Sequence, residues 1–334
     1  MNEVRPRLLL QSAPFLHGRL STPRLMLEVT LAAGVVVLAA TWFFGLVALL
    51  LCATATLGAM LTEAFFARGA RSTLRDNSAL LTGVLLGLTL PPAMPLWMAF
   101  LGGVVAIAFG KAAWGGLGHN LFNPALVGRA FLQAAFPTAI TTWTPQGGGF
   151  FAVPSTTFAW PLMHATLDGS TMATPLARMK FDHAATALQA LWSGDVPGSL
   201  GETSALVILL CGLWLGLRRA FDWRIPVAML GSALLFALGL WLYDDTHFAS
   251  PLAAIASGGL LFGAVFMATD PVSSPVTPRG AWLFGAGIGF LVILIRAFGG
   301  LPEGVMYAIL LMNAATPLIE RIAQPRAFGR ERTA

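Results

Sequence analysis

Charge is scarce in this chain. Only 10% of its 334 residues are Asp, Glu, Lys or Arg, against about 25% in an average soluble domain. A water-facing surface needs more than that, so a soluble enzyme and a disordered protein are both excluded. Cysteine is nearly missing. Cys52 and Cys211 each lie inside an apolar run, and there is no CxxC and no Cys/His cluster. That excludes a secreted disulfide scaffold and argues against an iron–sulfur or zinc site built by this chain alone. His119, His164 and His183 show no metal-ligand spacing. A glycine-rich nicotinamide-binding fingerprint is also lacking. The N-terminal stretch has no early apolar core of the signal-peptide kind, so the first span is expected to be an uncleaved anchor.

What remains is apolar: 56% of residues are hydrophobic, and 36 are glycine. About 20 apolar residues cross a bilayer. Ten apolar segments can be marked, at roughly 25–42, 45–66, 78–92, 94–110, 120–136, 204–218, 225–243, 250–268, 281–298 and 304–321. The expected fold is therefore an all-α membrane protein of about ten transmembrane helices. Several segments are short or broken: the third ends at Pro91-Pro92, and the fifth follows Gly118-His119. Non-helical backbone at membrane depth must be buried in protein or line a cavity, so the breaks point toward a binding site.

Basic residues report orientation. With the N-terminus in the cytoplasm and ten spans, sixteen of the 20 Lys and Arg residues fall inside. Arg178 and Lys180 fall outside, and Arg129 and Arg296 lie within or at the ends of spans. A single miscounted span would invert every later loop and destroy that bias. Both termini are then cytoplasmic and the 137–202 loop is outside. The net charge of +5 thus concerns the lipid bilayer and topology, not nucleic acid. A weak internal repeat joins Lys111-Ala112-Ala113-Trp114-Gly115-Gly116-Leu117 to Arg296-Ala297-Phe298-Gly299-Gly300-Leu301, and Thr89-Leu90-Pro91 to Thr269-Asp270-Pro271. Five spans per half would make the halves inverted repeats. The expected division is a cytoplasmic segment 1–24, a first membrane repeat 25–136, an outer loop 137–202, a second membrane repeat 203–321 and a cytoplasmic tail 322–334.

The outer loop carries the most specific chemistry. Asp168-Gly169-Ser170-Thr171-Met172-Ala173-Thr174 fits D-x-x-[ST]-x-A-T and resembles the flavinylation motif of membrane redox complexes. That resemblance implies FMN bound to the Thr174 hydroxyl through a phosphoester, attached by a dedicated flavin transferase. Asp168, Ser170, Thr171 and Ala173 are the accompanying motif positions, and Met172 stands where a small residue is usual. An acceptor of this kind is expected to be exposed, because a modifying enzyme must reach it.

Further motifs follow in order: Gly115-Gly116-Leu117-Gly118-His119-Asn120-Leu121-Phe122-Asn123-Pro124-Ala125, Phe266-Met267-Ala268-Thr269-Asp270-Pro271, and Pro302-Glu303-Gly304-Val305 through Asn313-Ala314-Ala315-Thr316-Pro317. Together they resemble the membrane flavoprotein family that contains the B component of the sodium-pumping NADH:quinone reductase and the D component of the Rnf electron transport complex. The short N-terminal extension is closer to the Rnf branch. The resemblance covers about 24–322 and implies a urea-transporter-like fold of two inverted five-helix repeats. It also implies electron transfer coupled to Na⁺ or H⁺ translocation in a bacterial inner membrane, with the outer loop periplasmic. Its implied partners are the other subunits of the complex, including a second covalent-FMN subunit and iron–sulfur subunits. A non-covalent riboflavin in the membrane domain is implied too, with Asn120 and Asn123 as candidates, since amides and free helix-start N–H groups cradle polar rings. Helix capping explains those two Asn equally well. Glu63 and Asp270, near the cytoplasmic ends of spans, are candidates for an ion or proton site; interfacial capping or pairing with Arg68 or Arg279 is the favoured reading. A plain solute channel of the urea-transporter type would share the fold but has no use for Thr174.

Overall fold

The computed structural model describes residues 21–67, 76–144, 146, 149–151, 153–161, 172–184, 186–202 and 204–324. The described residues are helical, without a strand. In chain order the helices are α1 (Thr22–Phe44), α2 (Leu46–Phe66), α3 (Ser78–Leu88), α4 (Leu96–Gly110) and α5 (Pro124–Ala135). The 137–202 segment, expected to lie outside and called the outer segment for that reason, then forms α6 (Pro137–Ile140), α7 (Pro175–Asp182) and α8 (Leu188–Ser193). The rest comprises α9 (Ala205–Leu217), α10 (Arg224–Tyr243), α11 (Pro251–Ala256), α12 (Leu260–Phe262), α13 (Pro278–Phe298) and α14 (Val305–Ala323). A π-turn, Gly263–Met267, continues α12.

Helices occupy all ten apolar stretches, yet among the described residues six are long and apolar enough to cross a membrane: α1, α2, α4 with the turn after it, α10, α13 and α14. Two shorter apolar helices, α3 and α9, accompany them. The eighth stretch is broken by Ser257-Gly258-Gly259, where Gly258 takes φ +65°. The chain is thus a multi-pass membrane protein. Its outward helix faces carry Leu38, Trp42, Leu57, Phe65, Leu235 and Leu242, side chains that are costly to leave in water and at home against lipid.

Without a hydrophobic force between helices in lipid, close packing must hold the bundle, and small residues supply it. On α2, Gly58 meets the Phe100 backbone of α4, while Gly103 of α4 meets the Ala55 backbone in return. A Cβ at either glycine would collide with backbone. The same device joins α13 to α10, where Gly285 and Gly289 lie against the carbonyls of Ile225 and Met229. The outer segment is fastened to this bundle by backbone acceptors. Thr156 Oγ1 donates to Ala93 O (2.7 Å) and the Leu200 N–H to Leu90 O (3.1 Å), while the Gln146 amide braces the segment internally, donating to Gly194 O (2.8 Å) and Val196 O (2.6 Å).

Candidate functional site

Thr174 is the N-cap of α7. Its Oγ1 accepts from the Ala177 N–H at 3.2 Å, and Pro175 follows at the first helical position, where its missing N–H costs nothing. Met172 and Ala173 are exposed, and then the chain dives: Thr174 is only 4% exposed. The expectation of an exposed acceptor is therefore corrected. Capping turns the hydroxyl inward, and α7 is held down at its far end. There Lys180 Nζ donates to the carbonyls of Arg296 (2.8 Å), Gly299 (2.5 Å) and Leu301 (3.2 Å) at the end of α13. Asp168, Ser170 and Thr171 lie outside the described residues.

Thr174 lines a cavity of about 430 Å³, within the size range of small-molecule and cofactor sites. Its walls include Leu126, Trp143, Phe262, Met306 and Tyr307, and its polar lining includes Thr89, Arg129, Glu202 and Glu303. Arg129 reaches in from α5: Nη1 donates to Thr89 O (2.5 Å) and Nη2 to Glu303 Oε2 (2.8 Å). Thr89 is the C-cap of the short α3, so the guanidinium satisfies a carbonyl that the broken helix leaves bare. Arg296 does likewise for α11, donating from Nη1 to Ala254 O (2.5 Å) and from Nη2 to Ser257 O (3.1 Å). Glu202 Oε1 accepts from Ser199 Oγ at 3.0 Å. Burial, and then the neighbouring Glu303 carboxyl, push the Glu202 carboxyl up to about 8, with Arg129 opposing.

Asn123 behaves as a structural cap. Its Oδ1 accepts from Ala125 N (3.0 Å) at the start of α5, and its Nδ2 donates to Met267 O (3.2 Å) in the π-turn. Asn120 donates to Phe122 O (3.1 Å), but its buried Oδ1 has no partner. Both Asn line a cleft of only about 50 Å³, together with Lys111, Phe266 and Asp270. That is room for water and would have to widen to admit a flavin ring. Glu63 pairs with Lys111 at 2.9 Å, and Lys111 also donates to Ser78 Oγ at 2.7 Å. Glu28 pairs with Arg218 at 2.8 Å. Asp270 accepts from Ser273 Oγ at 2.8 Å. Arg68 lies outside the described residues. Among the described residues no group of His, Cys, Asp and Glu could hold a metal, and both cysteines are buried and free.

The Glu202 and Glu303 floor escaped the sequence reading. Arg129 was the available signal: an ionisable side chain inside an apolar helix needs a buried partner.

A sequence model described as the NQR2, RnfD, RnfE family matches residues 9–329. The chain belongs to this family. Relatives are similar along almost their whole length. One, from Aeromonas salmonicida, is 41% identical over 349 residues, covering 96% of this chain and 98% of the relative. Another, from Yersinia pseudotuberculosis, is 41% identical over 341 residues, covering 95% and 97%. A third, from Shigella boydii, is 37% identical over 342 residues, again covering 95% and 97%. All three are named as the D component of an ion-translocating oxidoreductase complex.

Proposed function

We propose that this chain is the D component of an ion-translocating oxidoreductase complex and carries FMN as a phosphoester on Thr174. The observation that carries the reading is the coincidence of two independent features. The residue singled out by the loop motif lines the 430 Å³ cavity. The cavity fits the group. Its apolar and aromatic walls suit a ring system, while the phosphate would lie at the N-terminus of α7, where free N–H groups and the helix dipole favour negative charge. FMN, once bound, accepts and passes on one or two electrons. The chain's own residues bind and orient it, exclude water, and place Arg129 beside it as a fixed positive charge.

Electrons enter and leave through partner subunits in this reading, among them a second covalent-FMN subunit and iron–sulfur subunits, with Na⁺ or H⁺ as the coupled ion. A flavin transferase supplies the cofactor. The assembly lies in the bacterial inner membrane, with both termini cytoplasmic and the Thr174 segment periplasmic. Two inverted, urea-transporter-like halves are part of the proposal. In support, α2 packs on α3 and α4 with α4 on α5, as α10 packs on α11 and α13 with α13 on α14. Lys111 and Arg296, the repeat-related cations, are both buried at the ends of α4 and α13. Riboflavin at Asn120 and Asn123 requires the inner cleft to open, and flavin extraction from the folded protein would count it.

In-gel fluorescence of the denatured chain tests the main reading, because a covalent flavin survives denaturation. Mass spectrometry of the loop peptide should show one FMN-minus-water adduct on Thr174. A chain with neither signal is a solute channel or an inert scaffold instead.

A further inference from the structure

Three charged side chains line the Thr174 cavity, and a fourth, outside its lining, acts on two of them; each comes from a separate element. Arg129 comes from α5, Glu202 from the turn before α9, Arg296 from α13 and Glu303 from the segment ahead of α14. The arginines are largely committed to carbonyls at the ends of broken helices. Arg296 is 8% exposed, and its Nε has no partner. On the carboxyl side, Glu202 Oε1 takes the Ser199 hydroxyl and Glu303 Oε2 takes Arg129. Glu303 Oε1 is buried with no donor in reach, and the Glu202 carboxyl lies within hydrogen-bonding reach of Glu303. Two ionised carboxylates in that position only repel. One proton between them turns the repulsion into a hydrogen bond and satisfies the orphan oxygen.

We propose that Glu202 and Glu303 share a single proton, and that this proton is linked to the charge on the cofactor held at Thr174. The inference rests on the flavin reading above. The balance is simple. An electron from the complex's upstream carrier adds one negative charge to the cavity. One proton from the outer solvent then converts a carboxylate of the pair to a carboxylic acid. When the electron leaves for the next carrier, the O–H bond breaks and the proton returns. No other bond changes.

The pH window follows from the groups facing the pair. Burial and mutual repulsion raise its proton affinity, and Arg129 lowers it, for a net value of about 8 at Glu202; Arg296 faces both carboxyls as well. Below about 8 the pair holds its proton in both redox states, so little is taken up. Above it the oxidised state is ionised, and reduction draws the proton in.

Infrared difference spectra of the purified complex, reduced with dithionite minus oxidised, test this above and below that pH. The flavin at Thr174 is identified by comparison with Thr174→Val. Wild type should gain a carboxylic C=O band on reduction at the higher pH, sensitive to D₂O and absent from Thr174→Val. Glu202→Gln and Glu303→Gln should each abolish it while keeping the in-gel flavin fluorescence, and Glu202→Asp should keep it at a shifted frequency. Should the Gln variants fail to assemble, wild type against Thr174→Val and Glu202→Asp still decides. A reducible Thr174 flavin without the band overturns the shared proton alone. A chain without covalent flavin overturns the flavin reading, and this inference falls with it.

Discussion

The outer cavity and the inner cleft use the same parts and reach opposite results. Each lies beside a break in the helices, takes a buried basic side chain into its lining, Lys111 or Arg129, and has a polar helix cap there, Asn123 or Thr174. At the inner cleft the cation and the helix cap are both answered, while Asn120 Oδ1 has no partner. Lys111 is bound by Glu63 and Ser78, and Asn123 is used on both its nitrogen and its oxygen. About 50 Å³ remains. At the outer cavity a carboxyl oxygen, Glu303 Oε1, goes unanswered, and about 430 Å³ stays open. Both regions keep a buried polar atom unspent, so the difference teaches that a broken helix makes a site only where its neighbours also leave room; the inner cleft is a plug made from the same materials.

Removing the hydroxyl should break the contrast most completely. Thr174→Val is expected to eliminate fluorescence of the denatured chain, whereas Thr171→Val and Ser170→Ala keep it. Because Thr174 also caps α7, the variant should lose about 0.5–2 kcal/mol of stability, more than a surface swap would. An adduct that persists in Thr174→Val would sink the assignment.

Lys111→Met attacks the plug. It strands Glu63 as an unpaired buried charge, and breaking such a pair costs about 3–5 kcal/mol. Chemical denaturation in detergent should show the loss, while the outer flavin content per folded molecule stays unchanged. Equal loss of flavin would mean that the two regions are not separable.

Acidity sharpens the comparison further. The Glu202 carboxyl is raised from 4.5 to about 8, so the folded state binds its proton more tightly than the unfolded chain. That contribution is full below about 4.5, falls as pH rises, and is gone above about 8. Thermal melts of wild type should decline across this range more steeply than those of Glu202→Gln. Parallel curves would show that the carboxyl is ionised throughout.

Asn123→Leu should have the smallest effect, about 1 kcal/mol from a lost cap, with the covalent label intact. A drop in extracted non-covalent flavin in this variant would turn the plug back into a site.

These contrasts bear on what a linear reading can reach. Hydropathy located the helices because a bilayer sets their length, and Asn123-Pro124 announced the start of α5. The Thr174 motif was legible as chemistry but not as geometry. The following Pro175 marks a helix start, which is the reason the hydroxyl faces inward. The break at Ser257-Gly258-Gly259 hid in an apolar run of ordinary length. The cavity floor was beyond reach, since Arg129 and Glu303 are 174 positions apart and only the tertiary fold brings Glu202 between them.

The latch on α7 has one more consequence, and it concerns time. Lys180 is tied to three carbonyls, and Thr174 is covered. No second protein could grasp that hydroxyl in the finished structure. If a flavin is attached there, attachment and closure compete during biogenesis. A chain in which α7 docks before the flavin arrives would then stay without it.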